Sequence, residues 1–449
     1  MPDPTMPSLP SPVRPLRPPT PWTRYAGAGA LVAVGYMDPG NWATALAGGA
    51  QFGYRLLGVV ALASVIAVLL QWVAARVGVV TGRDLAELCR ERLSPRATLA
   101  LWLATEAAII ACDVAEVVGC AVALQMLLHV PLLAGVLISA VGTFAMLALQ
   151  RRGHRTLEAC VAALILFVAL CFVAEVALAR PDWAAALGGF MPSTELVRNA
   201  GMVWLAAGIV GATVMPHNLY LHSALVKRHA PPAGDGRDAR DTHEARDGAP
   251  AHRERDAEIA DTMRGVGFDT FGSLGFAFIV NAALLIVAAA VFHASGHTSV
   301  DDLADAHRLL APLVGSNWAS LLFAAALLAC GLNSTVTGTL AGQIVMEGFL
   351  KLRISPTRRA ILTRALAIGP ALVAVAAFGN HGSAQLLVAS QVVLSLQLPL
   401  AVIPLVRFAA DPELMGRWRI RGWVHMATWA CTALILVLNV ALLWQLWAA

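Results

Sequence analysis

The sequence predicts an all-α integral membrane protein of eleven apolar spans, arranged as two inverted repeats of five helices with a peripheral eleventh. Three observations carry this reading. The 449-residue chain is 58% hydrophobic and only 13% charged, against about 25% charged in soluble domains, and its mean hydropathy is +0.68. Its apolar residues gather in runs of about twenty, the length that crosses a bilayer. Two of these runs, the first and the sixth, are broken by a proline set among polar residues.

Residues 1 to 24 are proline-rich, carry Arg14, Arg17 and Arg24, and lack the apolar core and cleavage site of a signal peptide. They read as a disordered cytoplasmic tail. A single transmembrane domain is expected over 25 to 449. Its first repeat (25 to 179) has spans near 25 to 50, 56 to 75, 98 to 127, 131 to 149 and 157 to 179. Its second (199 to 406) has spans near 199 to 226, 266 to 293, 317 to 340, 360 to 378 and 384 to 406, and the extra helix lies at 423 to 447. Five spans per half invert the second half relative to the first, so the matching interruptions at 1 and 6 follow the pattern of inverted-repeat transporters. The one long polar insertion, at 228 to 262, mixes Asp, Arg, His, Gly and Pro and reads as a solvated cytoplasmic loop.

Basic residues set the orientation. With the N-terminus inside, 28 of the 32 Lys and Arg fall in cytoplasmic segments, leaving Arg55, Arg180, Arg198 and Arg308 outside. The N-terminus is therefore expected in the cytoplasm and the C-terminus outside. The net charge of +4 reports this topology and not nucleic-acid binding. The seven cysteines are scattered through apolar segments, without metal-site or disulfide spacing, and read as packing residues.

The chemistry is expected at the two breaks. A carboxylate inside a membrane span must be offset by a partner or ligand, and Asp38-Pro39-Gly40-Asn41 supplies one, with an amide three residues on. Pro39 has no N–H, so the carbonyl of Gly35 loses its helical donor; Pro216, in Met215-Pro216-His217-Asn218, does the same to Ala212. The combined set of carboxylate, amide, two carbonyls and the Met215 thioether mixes hard and soft donors. Oxygens alone would suit Mg²⁺ or Ca²⁺; the thioether shifts preference to Mn²⁺ or Fe²⁺, with Co²⁺, Cd²⁺ or Zn²⁺ as competitors. On the third span Glu106, Asp113 and Glu116 fall within an arc of roughly 80°. Such a stripe suits a proton relay, or an ion pair with Arg364 of the ninth span.

Three segments, DPGNWATALAGGAQFGY, ATVMPHNLYLHSALV and STVTGTLAGQIVMEGFL, resemble the Nramp family of proton-coupled divalent metal transporters over roughly 25 to 407. The resemblance implies a LeuT-type fold and alternating access. It carries the family's metal ligands onto Asp38, Asn41 and Met215, with the carbonyls of Gly35 and Ala212, and with Gln391 of the tenth-span segment SQVVLSLQLP approaching the ion. It also implies proton movement through His217, Asp113 and Glu116, with Glu106; the residues themselves suggest Asp38 as the coupling point, since metal binding should expel its proton, and Arg364 as a partner for the acids. The expected activity is import of Mn²⁺ or Fe²⁺, with Cd²⁺ and Co²⁺ also accepted, across the plasma (inner) membrane by a monomer. The metal is substrate and the proton co-substrate; no cofactor is implied. The chain departs from many relatives at Ala45 and Leu332, neither of them a ligand position. The alternative is a Mg²⁺ or organic-solute transporter of the same fold. An intramembrane metalloenzyme is disfavoured, since the chain has no His-Glu-x-x-His or Gly-x-Ser-x-Gly motif.

Overall fold

The computed structural model describes residues 27 to 448, apart from 152–153, 192–193, 232–249, 301 and 353–354. The expected tail (1 to 24), the middle of the 228-to-262 loop and the side chain of Arg364 lie outside the described residues. Among the described residues there is no strand, as bilayer-spanning segments that satisfy their own backbone require.

The first apolar run folds as two half-helices, α1 (Ala28–Gly35) and α2 (Pro39–Phe52). The break follows from local chemistry. Pro39 takes the first position of α2, where a missing N–H costs nothing, and Asp38 is the N-cap, its Oδ1 accepting from the Asn41 amide at 2.9 Å. A turn at Gly53–Leu56 leads into α3 (Leu57–Thr81), then a short α4 (Leu85–Arg92), α5 (Pro95–Leu128), α6 (Leu132–Arg151) and α7 (His154–Ala179). Two short helices, α8 (Trp183–Gly188) and α9 (Glu195–Arg198), precede the second broken run, α10 (Ala200–Val214) and α11 (Pro216–Lys227). There the interruption is a single residue: Met215 has φ 43° and ψ 96°, outside helical space, and Pro216 restarts the helix.

The rest comprises α12 (Pro250–Ala288), α13 (Leu303–Val314), α14 (Asn317–Leu350), α15 (Pro356–Ala410), α16 (Pro412–Met415) and α17 (Gly422–Ala448). Among the described residues eight helical stretches are long and apolar enough to cross a membrane. The expected first and second spans run together as Pro39–Thr81 through the Gly53 turn, and the fourth shows a shorter apolar stretch, Leu132–Gly142. The gap expected between 378 and 384 does not interrupt the backbone: α15 is helical throughout. The intervening Gly379-Asn380-His381-Gly382 holds no proline, so each residue keeps its amide donor.

Small residues bring the broken helices against their neighbours. A Cβ on Gly211 of α10 would collide with the carbonyl of Gln391 and lie 2.7 Å from the amide of Ser395, both on α15. Trp42 of α2 anchors the other side, with ring centroids 5.1 Å from Phe172 of α7 and 5.0 Å from Phe323 of α14. The half-helix α1 rests on α12: Asp269 accepts from the amide of Gly29 at 2.6 Å, and Asn281 donates to the Tyr36 carbonyl at 2.9 Å. Asp269 thus satisfies an N-terminal amide that α1 cannot satisfy itself.

On the face that carries most of the basic loops, α4 joins α11 to α14. A capping box formed by Asp84 and Glu87 starts it, the Leu85 amide donates to Ser223 Oγ at 3.0 Å, and Arg90 donates to the Gly348 carbonyl. Lys227 donates to Asp84 and, at 2.8 Å, to Glu87. Burial pushes the Asp84 carboxyl up to about 6 against the pull of Lys227. At Glu87, where burial also acts upward, hydrogen bonds from Lys227 and the Asp84 amide prevail and hold the carboxyl below its ordinary value.

Replacing Lys227 with methionine leaves Asp84 buried without its cation. The expected cost is about 2 kcal/mol at pH 7.5, below the 3–5 of a fully buried pair because Lys227 is 30% exposed. Without the cation the Asp84 value can only rise. Between about pH 6 and that higher value the folded variant therefore carries a proton that the wild type does not, so the stability gap widens with pH across this window and below about 6 falls to what the lost Lys227–Glu87 pair leaves. Melting temperatures of both proteins in detergent between pH 5 and 8 check this, and a gap independent of pH would contradict it.

Candidate metal-binding site

The two breaks lie side by side inside the bundle. Asp38 is fully buried, and Asn41, Met215, His217 and Gln391 are each no more than 4% exposed. The Asn41 amide nitrogen donates to Asp38 Oδ1 at 2.7 Å and to the Ala212 carbonyl at 3.0 Å, so a single side chain ties the first break to the second. Asp38 Oδ2 is buried with no hydrogen-bond partner among the described residues. An unsatisfied carboxylate oxygen at zero exposure is costly unless something cationic meets it.

Met215 reaches this centre from the other helix. Its sulfur accepts from Asn218 Nδ2 at 3.3 Å and lies 3.4 Å from where a Cβ on Gly35 would stand. Gly35 therefore serves twice, as a carbonyl deprived of its donor by Pro39 and as the gap through which the thioether approaches. Gln391 presses its side chain onto Gly40, where a Cβ would collide with it, and its Oε1 is buried without a partner among the described residues. The structure thus gathers the six residues expected around the ion: Asp38, Asn41 and Gln391 from side chains around α2, Met215 from the second break, and the backbone at Gly35 and Ala212.

The expected proton residues lie close by. Asp113 and Glu116 are 2% and 1% exposed, and both point at Gly338 of α14, where a Cβ would sit 3.3 Å from Asp113 Oδ1 and 3.1 Å from Glu116 Oε1. One turn beyond Glu116, Gly119 gives way to the ring of Pro39. Cys112, the neighbour of Asp113, packs in one cluster with Met215. His217 is buried in the first turn of α11, its Nδ1 without a partner among the described residues. Glu106 is half-buried, further toward the start of α5.

Several residues at the breaks were not singled out by sequence. Gln71 of α3 donates to the Tyr36 hydroxyl at 3.0 Å while its oxygen meets His222 Nδ1 at 3.0 Å. With Asn281, they hold the unwound segment at 36 to 38. Their signal was available: Gln71 and Asn281 are polar residues inside apolar spans, and Asn218 and His222 belong to the second motif. Glu175 of α7, near a helix end, is also 2% exposed, and neither of its carboxylate oxygens has a hydrogen-bond partner among the described residues.

Residues 29–445 match the family model described as Nramp, natural resistance-associated macrophage protein-like. The chain belongs to the Nramp family. This Nramp protein is 50% identical over 425 residues to the divalent metal cation transporter MntH of Bradyrhizobium diazoefficiens, covering 94% of this chain and 90% of that one. It is 51% identical to the MntH of Xanthomonas campestris pv. campestris over the same shares. Among solved structures it is similar to the Eremococcus coleocola manganese transporter, with TM-score 0.80 and 36% identity over 93% of this chain and 85% of that one. It also shares the fold of Mhp1, a nucleobase-cation-symport-1 family transporter, at TM-score 0.57 and 14% identity, covering 96% and 94%. The fold of this Nramp protein is accordingly the LeuT type, two inverted five-helix repeats with broken helices 1 and 6, and its relatives are named as transporters and not enzymes.

Proposed function

We propose that this Nramp protein imports Mn²⁺ or Fe²⁺, and accepts Cd²⁺ and Co²⁺, together with protons, by alternating access across the plasma membrane. The observation that carries the proposal is the meeting of a bare Asp38 oxygen, a thioether and two carbonyls without their helical donors, that of Ala212 met instead by Asn41, at two adjacent helix breaks. The oxygens replace the water shell of a dication, and the Met215 sulfur favours transition metals over Mg²⁺ and Ca²⁺. Asn41 donates its NH₂ to two oxygens that a cation would otherwise bridge; to act as a ligand its amide turns over and presents Oδ1.

Protons are carried by Asp38, His217, Asp113 and Glu116, with Glu106 and Arg364 as the further residues expected to assist. Metal binding at Asp38 expels its proton toward the acids of α5. The two repeats, 25 to 179 and 199 to 406, rock about the breaks within a monomer whose N-terminus is cytoplasmic and whose C-terminus is outside. A dication and one proton carry three charges inward, worth about 7 kcal/mol at 100 mV.

The test is uptake of Mn²⁺, Fe²⁺ and Mg²⁺ into proteoliposomes with internal pH recorded at the same time. Mn²⁺ and Fe²⁺ entry with internal acidification, and exclusion of Mg²⁺, is expected. Entry of Mg²⁺ alone would turn the reading to the alternative of the same fold, and metal entry without acidification would refute proton coupling.

A further inference from the structure

Away from the breaks, a cavity of about 610 Å³ opens between the end of α15, the start of α17 and the end of α4, on the face that carries most of the basic loops. Its polar lining is mainly basic. Arg92 and Arg407 project into it with His425 and Trp429, and Ile403 and Phe408 form an apolar side. Neither guanidinium makes a hydrogen bond among the described residues. Arg92 lies 3.9 Å from Asp411 and 3.6 Å from Glu413, too far for one, and Arg407 is exposed with no ion pair among those residues. The one lining carboxylate, Asp411, caps α16 through Oδ1, which accepts from the amides of Glu413 and Leu414 at 2.8 Å and 3.4 Å, and leaves Oδ2 as the oxygen 3.9 Å from Arg92. His425 Nδ1 is buried and without a partner among the described residues.

Two guanidiniums on one cavity, Arg92 held only by long ion pairs and Arg407 by none among the described residues, make a receptor for a phosphate-type oxyanion, which a guanidinium fork binds through two parallel hydrogen bonds. The surroundings say where that anion comes from. Trp429 is 38% exposed and Trp423, at the start of α17, is 74% exposed, the placement of tryptophans at a membrane–water boundary. The apolar side continues toward Leu400 and Met426, which are 43% and 72% exposed on helices that face lipid. A free phosphate has no use for such a wall; acyl chains do. Basic pockets between membrane helices at the cytoplasmic surface hold anionic lipid headgroups.

We propose that this cavity binds the headgroup of an anionic phospholipid, with Arg92 and Arg407 on the phosphate, His425 completing the polar side, and the acyl chains running along α15 and α17. The site is independent of which ion the protein carries. It ties the peripheral helix α17 to α15 and α4 through a lipid.

Native mass spectrometry of the purified full-length protein, titrated with phosphatidylglycerol and separately with phosphatidylcholine, tests this. The first phosphatidylglycerol is expected to bind about thirtyfold tighter than phosphatidylcholine, two cations each contributing at the membrane surface. The double variant Arg92→Gln/Arg407→Gln should lose that preference, binding both lipids about equally, while an unchanged melting temperature shows that it is folded. Arg92→Lys/Arg407→Lys should retain most of it. Equal phosphatidylglycerol affinity in the wild type and the glutamine variant would overturn the site. Displacement of the lipid by millimolar glycerol phosphate would overturn the lipid as its occupant and assign the cavity to a soluble phosphate ester.

Discussion

Asp38→Asn will abolish Mn²⁺ uptake, with a loss of at least a hundredfold, while leaving the protein folded. The asparagine variant is chosen because Asp38 has two separable roles. Its Oδ1 caps α2 by accepting from the Asn41 amide, and its Oδ2 is the buried oxygen without a partner. Alanine would remove both, at about 1 kcal/mol for the cap alone, so lost transport could be blamed on a loosened helix. Asparagine is as good a cap and close in size, and it removes only the charge. A dication stripped of water and given neutral ligands alone has nothing to offset its desolvation. Mn²⁺ should therefore raise the melting temperature of the wild type, since it binds only the folded form, and leave that of the variant unmoved. Normal uptake by Asp38→Asn would remove the carboxylate from the mechanism.

The second large effect is on selectivity. Met215→Ala is expected to weaken Cd²⁺ binding by roughly tenfold and to admit Mg²⁺ and Ca²⁺, against their expected rejection by the wild type. The remaining donors, a carboxylate, amides and carbonyls, form the all-oxygen set that hard cations prefer. The change is clean at the backbone, because both methionine and alanine carry a Cβ and meet the same penalty at φ 43°. It also releases Asn218, whose amide now donates to the sulfur, and an added carboxamide near the ion pulls the same way. Calorimetric Cd²⁺ titration and competition of Mn²⁺ uptake by Mg²⁺ and Ca²⁺ measure both halves. Unaltered selectivity would mean that the thioether only fills space, and would favour the Mg²⁺ or organic-solute alternative.

What the sequence disclosed and what it hid divide along a physical line. Proline has one backbone consequence wherever it sits in a helix, so both breaks and the carbonyls of Gly35 and Ala212 could be read in advance. Lone polar residues in apolar spans marked the acids of α5 for the same reason, the cost of burying a charge. Partners were hidden. Nothing local says that Asn41 reaches across 171 residues to Ala212, that the Met215 sulfur is held by Asn218, or that Gln71 and His222 steady Tyr36. Composition gave α4 no role either, since its few buried residues look ordinary until Ser223, Lys227 and Gly348 arrive from elsewhere. The continuity of α15 was missed for a different reason: a short polar insert without proline resembles a loop and is compatible with a helix.

The two bonds between α1 and α12 have a mechanical consequence. One fastens the first turn of the half-helix at Gly29, the other the residue just past its last turn, at Tyr36, and both come from the same neighbour. A rod of eight residues, about 12 Å long, clamped near each tip to a single strut cannot tilt on its own. Any swing of α1 within the proposed transport cycle would therefore carry α12 with it as one leaf, or require both clamps to let go together.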